Sequence, residues 1–120
     1  MARTMMEILE HHNNAVLSDN YDEMIADYAD DAVLITLSGV YSGKQAIGGA
    51  LRGLIRSMPG MKPVETPTNY LRIEGDTLLL RWSAESAKGR IKDAVDTIVI
   101  KNGTIWRQTT SFEIVPHNRK

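Results

Sequence analysis

Apolar positions recur at helical spacing in the first half of the chain and in extended runs in the second. Met5, Ile8, Leu9, His12, Ala15 and Val16 form one stripe, with Glu7, Glu10, His11 and Asn14 on the opposite side. Thr4 stands just before this run with Glu7 three residues on, the spacing of a capping box, and predicts where the helix starts. Ser18-Asp19-Asn20 interrupts it. A short second helix carries Tyr21, Met24, Ile25 and Tyr28 on one face and is stopped by Asp30-Asp31. Residues 32–37 are apolar and β-branched, which predicts a strand. Gly39 and Gly43 bracket Val40-Tyr41 in a turn. A third helix is expected over about residues 44–58, burying Ile47, Ala50, Leu51, Leu54 and Ile55.

After Pro59-Gly60 the helical spacing gives way to strands over about residues 64–73, 77–86, 91–101 and 104–115. Turns fall at Glu74-Gly75-Asp76, Lys88-Gly89 and Asn102-Gly103. Pro63 and Pro67 mark the first of these strands as an edge or bulged strand. Helices first and strands afterwards predict a single α+β domain over residues 1–120, with the helices on one face of an antiparallel sheet.

The hairpin turns decide which strand residues face the helices. A two-residue Asn102-Gly103 turn pairs Ile100 with Ile105 and Asp96 with Thr109. A three-residue Lys101-Asn102-Gly103 loop pairs Ile98 with Trp106 and Asp96 with Gln108. The second is preferred, because it gathers Ile98, Ile100, Trp106, Thr110, Phe112 and Ile114 on one face. It leaves Arg107, Thr109, Ser111 and Glu113 on the other. A two-residue Lys88-Gly89 loop then sets Arg81 opposite Asp96, so Arg81, Asp96 and Gln108 share the covered face. The outer face would hold Leu78, Leu80, Trp82, Val95, Val99 and Ile105. That is too apolar for a monomer and predicts a two-fold homodimer through the sheet.

Charge and composition narrow the function. The chain has 14 Lys+Arg against 15 Asp+Glu, so no basic field is present to hold nucleic acid or an anionic membrane. It has no cysteine, which removes disulfides, thiolate metal sites and a thiol nucleophile. No apolar run approaches the roughly 20 residues that span a bilayer, and the first ten residues read as the start of a helix rather than a signal peptide. A cytoplasmic domain is expected.

Asp96 is the sharpest candidate for chemistry, because a carboxylate on an apolar strand face is costly unless paired or kept neutral. His12, the one histidine on an apolar stripe, is the second: imidazole serves as acid or base near neutral pH. Tyr28, Arg81, Gln108, Thr110, Phe112 and Trp106 are the candidate substrate-binding residues around them. His11 and His12 are adjacent on a helix, point about 100° apart, and share no metal; no metal-ligand spacing is readable, and no cofactor is expected. Gly48-Gly49 lacks the pattern of a phosphate loop and reads as close helix packing. Residues 58–61, with two methionines, read as a hydrophobic lid or hinge.

Three stretches in order resemble the nuclear transport factor 2-like superfamily, and within it the SnoaL-like group. They are Tyr28-Ala29-Asp30-Asp31-Ala32-Val33, then Gly39-Val40-Tyr41-Ser42-Gly43-Lys44-Gln45-Ala46-Ile47, and last the hairpin from Asp96-Thr97-Ile98-Val99-Ile100 through Asn102-Gly103 to Phe112. The resemblance implies a cone-shaped roll of cystatin-like type: a curved sheet wrapped around three helices with a pocket between them, and a homodimer. Asp96 matches the position where steroid isomerases of the superfamily keep a protonated aspartic acid that donates to an oxyanion. Their general-base position falls on Thr36 here, and their oxyanion-binding tyrosine on His12. Arg81 matches the arginine of the related limonene epoxide hydrolases, but Ser83 and Thr110 stand where their carboxylates would be. The expected function is therefore cofactor-free acid–base chemistry of isomerase, dehydratase or cyclase type on a small, mostly apolar molecule. The alternative is a non-catalytic binding or association domain.

Overall fold

A computed structural model describes residues 3–117. Helix α1 (Met5–Leu17) starts at Thr4, whose side chain accepts from the Glu7 amide while the Glu7 carboxylate accepts from the Thr4 amide, the expected capping box. Its buried residues are Ile8, Leu9, His12 and Ala15. Asn20 caps α2 (Tyr21–Ala26), and Asp27 ends it. Strand β1 (Tyr28–Thr36) therefore begins before Asp30-Asp31, and the expected turn after it is a second strand, β2 (Gly39–Ser42), paired antiparallel with β1. Helix α3 (Lys44–Ser57) follows. The expected strand over residues 64–73 divides into β3 (Lys62–Pro63) and β4 (Tyr70–Glu74), both on the edge of β5 (Thr77–Glu85). The chain closes with β6 (Gly89–Lys101), β7 (Thr104–Ser111) and β8 (Ile114–Pro116).

The helices pack on one curved sheet of order β2-β1-β7-β6-β5-β3. The sheet is mixed rather than antiparallel throughout, because β1 and β7 run parallel. The core on the helix side joins Ile8, Met24, Tyr28, Leu34, Ile47, Leu78, Ile98 and Ile105. A second cluster holds Met58, Ala84, Ile91 and Ala94, so Met58 is fully buried core and not part of a lid. Among the described residues no helix is long and apolar enough to cross a membrane.

Two bulges set the faces of the long strands and correct the expected register. In the last hairpin Asn102 and Gly103 both take positive φ and make a two-residue turn, pairing Ile100 with Ile105. Trp106 is then an extra residue, and beyond it Ile98 pairs with Gln108 and Asp96 with Thr110. Gln108, Thr110 and Asp96 thus share the covered face, as expected, but Trp106 does not join them. It is stacked beneath Arg107 (3.9 Å) and Lys101 (4.7 Å). In the preceding hairpin Glu85 pairs with Arg90, and a bulge with Asp93 at φ 59° shifts the register so that Trp82 faces Ala94 and Leu80 faces Asp96. One residue of shift inverts a strand. Arg81 therefore turns outward beside Val95, while Leu78, Leu80 and Trp82 turn toward the helices, and Ile105 is buried there too. The expected dimer face loses these four residues and keeps Val95 and Val99.

Candidate functional site

The sheet and helices do not fill the space between them. A cavity of about 1030 Å³ lies between α1, α3, the β1–β2 hairpin and the concave sheet. That is the size of a pocket for one small-molecule ligand. Leu9, Leu34, Leu51, Leu80, Ile98 and Phe112 give it apolar walls. Strand alternation brings Asp96 of β6 and Gln108 and Thr110 of β7 into its wall, and the apolar stripe of α1 brings His12.

Asp96 is held by three donors. Its Oδ1 accepts from Trp82 Nε1 at 3.1 Å and from Thr110 Oγ1, the residue directly across the ladder. Its Oδ2 accepts from Gln108 Nε2 at 3.1 Å. Gln108 is oriented in turn by the Tyr28 hydroxyl, which donates to Oε1. A carboxylate oxygen has two acceptor sites, so Oδ1 is saturated and Oδ2 keeps one free. Among the described residues no cation pairs with the group. Burial pushes the Asp96 carboxyl above its usual value against the opposing effect of the bonds from Thr110, Trp82 and Gln108. In its neutral form such an acid can donate a hydrogen bond, and in its ionised form it can accept a proton.

His12 is 6% exposed, and its Nδ1 has no hydrogen-bond partner. Burial lowers it to about 4, opposed by the nearby Asp27 charge, so the ring is neutral at physiological pH. The Tyr28 ring meets it edge-on, with centroids 5.6 Å apart. Tyr28 itself does not reach the cavity wall: its hydroxyl is committed to Gln108, and burial raises it well above the usual phenol value.

The structure thus gathers Asp96, His12, Gln108, Thr110 and Phe112 around one space, with Tyr28 as a support behind Gln108. Arg81 and Trp106 lie outside it. Arg81 sits over the Tyr70 ring at 5.2 Å on the outer face. Trp82, expected on the outside, is the site residue that the register argument missed; the parity of the β5–β6 bulge hid it. Thr36 also lines the cavity, beside Ser38 and Tyr41 of the hairpin. Asp27, a second buried carboxylate, was not anticipated. It lies away from the cavity, 1% exposed, bonded to Arg3 Nη1 at 2.9 Å and His11 Nδ1 at 2.7 Å, and Glu23 takes the other nitrogen of His11 at 2.6 Å. Among the described residues no group of three or more His, Cys, Asp or Glu is placed to hold a metal ion.

The architecture is a nuclear transport factor 2-like fold of the cystatin-like kind. No family model and no curated protein matches the sequence. Solved structures match over nearly the whole chain. One is a nuclear transport factor 2-like protein of unknown function from Cytophaga hutchinsonii, 14% identical, covering 94% of this chain and 93% of that one with a TM-score of 0.74. Another is a candidate polyketide cyclase from Sinorhizobium meliloti, 19% identical, covering 87% and 93% with a TM-score of 0.68. A third is a candidate isomerase of the SnoaL-like family from Agrobacterium tumefaciens, 14% identical, covering 90% and 96% with a TM-score of 0.69. Identities this low establish the fold and leave the chemistry to the site.

Proposed function

We propose that this protein is a SnoaL-like enzyme that moves a proton on a small, mostly apolar molecule bound in the cavity, in an isomerase, lyase or cyclase type of reaction. The observation that carries this reading is Asp96: a buried carboxyl in the wall of an open cavity, fixed by three donors, paired with no cation among the described residues, and left with one free site on Oδ2. In the ionised form that site takes a proton from a carbon acid; in the neutral form it donates to a developing oxyanion. Trp82, Thr110 and Gln108 stabilise the negative form, and the apolar surroundings oppose it, which brings the two forms closer in energy. His12, neutral and without a hydrogen-bond partner among the described residues, stands in the same wall. The structural neighbours described as a candidate polyketide cyclase and a candidate isomerase support the class.

A second reading has its own support. Every polar group of the Tyr28–Gln108–Asp96 chain finds a partner within the protein, as in a domain that only binds a ligand. One experiment separates the two. The α-protons of 2-tetralone, an uncharged apolar ketone, exchange in D2O at a rate measurable by NMR. The enzyme reading expects exchange faster than in buffer alone with the native protein, and exchange at the buffer rate with Asp96→Asn. A native protein that leaves the exchange rate unchanged while binding the ketone supports the binding domain and removes the enzyme.

A further inference from the structure

Helix α3 presents two kinds of glycine. A Cβ on Gly48 would stand 2.6 Å from the Tyr21 ring and 2.9 Å from Ile25, so Gly48 is demanded by packing against α2. Among the described residues, a Cβ on Gly49, which is exposed at the cavity mouth, or on Gly53, which is half-buried, would meet no atom within 4 Å, and both residues line the cavity. They are four apart and share one face with Ala46, Ala50 and Ser57, which line it too. A glycine inside a helix is less favourable than alanine, and nothing within the fold requires either of these two to lack a side chain. The bare strip of backbone faces a cavity that also contains the unpartnered, nine-tenths-buried His12. The charged side chains among the described lining residues are Glu10 and Asp96, both acids, and no lysine or arginine is among them.

We infer that Gly49 and Gly53 determine ligand selection in this cavity: an uncharged molecule with a broad apolar face lies directly against the backbone of α3, and anions are refused. The space a side chain would take is left for the ligand. An anionic group would lose its hydration shell without finding a cation and would approach two acids. This inference rests on the cavity being a ligand site, as proposed above, and adds what selects the ligand.

A matched pair of probes tests it. N-phenyl-1-naphthylamine is uncharged, and 8-anilino-1-naphthalenesulfonate is the same skeleton carrying a sulfonate. In a Trp106→Phe background, energy transfer from Trp82 reports binding in the cavity. The uncharged probe is expected to bind at least tenfold more tightly than the sulfonate. Gly49→Ala with Gly53→Ala is expected to raise the melting temperature, since a helix gains two alanines in open space, and to weaken the uncharged probe at least several-fold. Gly53→Ala alone should shift both quantities in the same directions. Unchanged probe affinity in the glycine variants, a lowered melting temperature, or equal binding of the two probes would overturn the inference while leaving the cavity a ligand site. A native protein that binds neither probe would remove the ligand-site reading and this inference with it.

Discussion

Asp96 depends on groups whose orientation is set one bond further out, and that dependence makes the site sensitive to single atoms. Asn at position 96 presents an NH2 where Oδ2 accepts from Gln108, so two donors face each other. The conflict resolves only if the Gln108 amide flips and then donates to Tyr28. A cost of about 1 kcal/mol is expected for Asp96→Asn, the scale of one rearranged hydrogen bond. The loss of about 3–5 kcal/mol that follows from breaking a buried ion pair is not expected, because Arg81 lies on the other face of the sheet. Tyr28→Phe leaves Gln108 Oε1 unsatisfied in a fully buried place and should cost about 1–3 kcal/mol in urea unfolding. The adjacent histidines should respond to pH in opposite senses. His12 is lowered from 6.5 to about 4 in the folded state, so between those values the unfolded chain binds more protons and stability falls as the pH drops. A depression of this size corresponds to about 3 kcal/mol, and His12→Leu should remove it from the acid limb of the stability–pH curve. The bonds from Asp27 and Glu23 raise His11, so its contribution is present below 6.5 and is lost as the pH rises through its folded value. His11→Gln should flatten the alkaline limb and leave the acid limb as it was.

At the level of elements, the helices were legible because each carries local signals: the Thr4–Glu7 box, the apolar stripe of α1, and the break at Ser18-Asp19-Asn20. The capping box also fixes where α1 begins and hence the turn on which His12 sits. Thr4→Ala is expected to cost about 1 kcal/mol in thermal or urea unfolding, with the cavity residues unmoved. The placement of Asp96, Gln108, Thr110 and Phe112 on the covered face was legible too, since the alternation along β6 and β7 survives a two-residue displacement of register. Arg81, Trp82 and Trp106 were not. Each depends on a bulge, and a bulge adds one residue to one strand without a signature in the apolar pattern. Asp93 at positive φ, its amide bonded to Ser83 Oγ, is a local event, yet it inverts the side chains of β5 from Thr77 to Trp82 relative to the count from the turn. The parallel β1–β7 pair was equally hidden, because only the path of the chain through α3 brings those strands together.

For the whole molecule, the fold supplies a cavity and little indication of what fills it. A roll of this kind buries its helices in the mouth of a curved sheet and leaves a space at the wide end; under the function proposed here, the side chains that reach that space would carry it. Here they comprise a strip of bare helix backbone, apolar walls, and a small polar cluster centred on Asp96. A cavity of about 1030 Å³ gives an occupant many wall atoms to contact, so a fitting ligand that binds only the folded state should stabilise the entire domain. At a free concentration 100-fold above its dissociation constant, a ligand specific for the folded state adds about 2.7 kcal/mol. An unfolding entropy of roughly 2.1 cal/mol/K per residue over a 120-residue chain converts this to a rise of about 10 °C in melting temperature. Differential scanning fluorimetry with N-phenyl-1-naphthylamine or 2-tetralone should show a shift of that order. The shift should grow with the logarithm of concentration above saturation and fall when Phe112→Ala removes a wall of the cavity. A shift that stays below about 2 °C at that excess, with binding confirmed by titration, would show that the unfolded chain binds the ligand almost as well as the fold does.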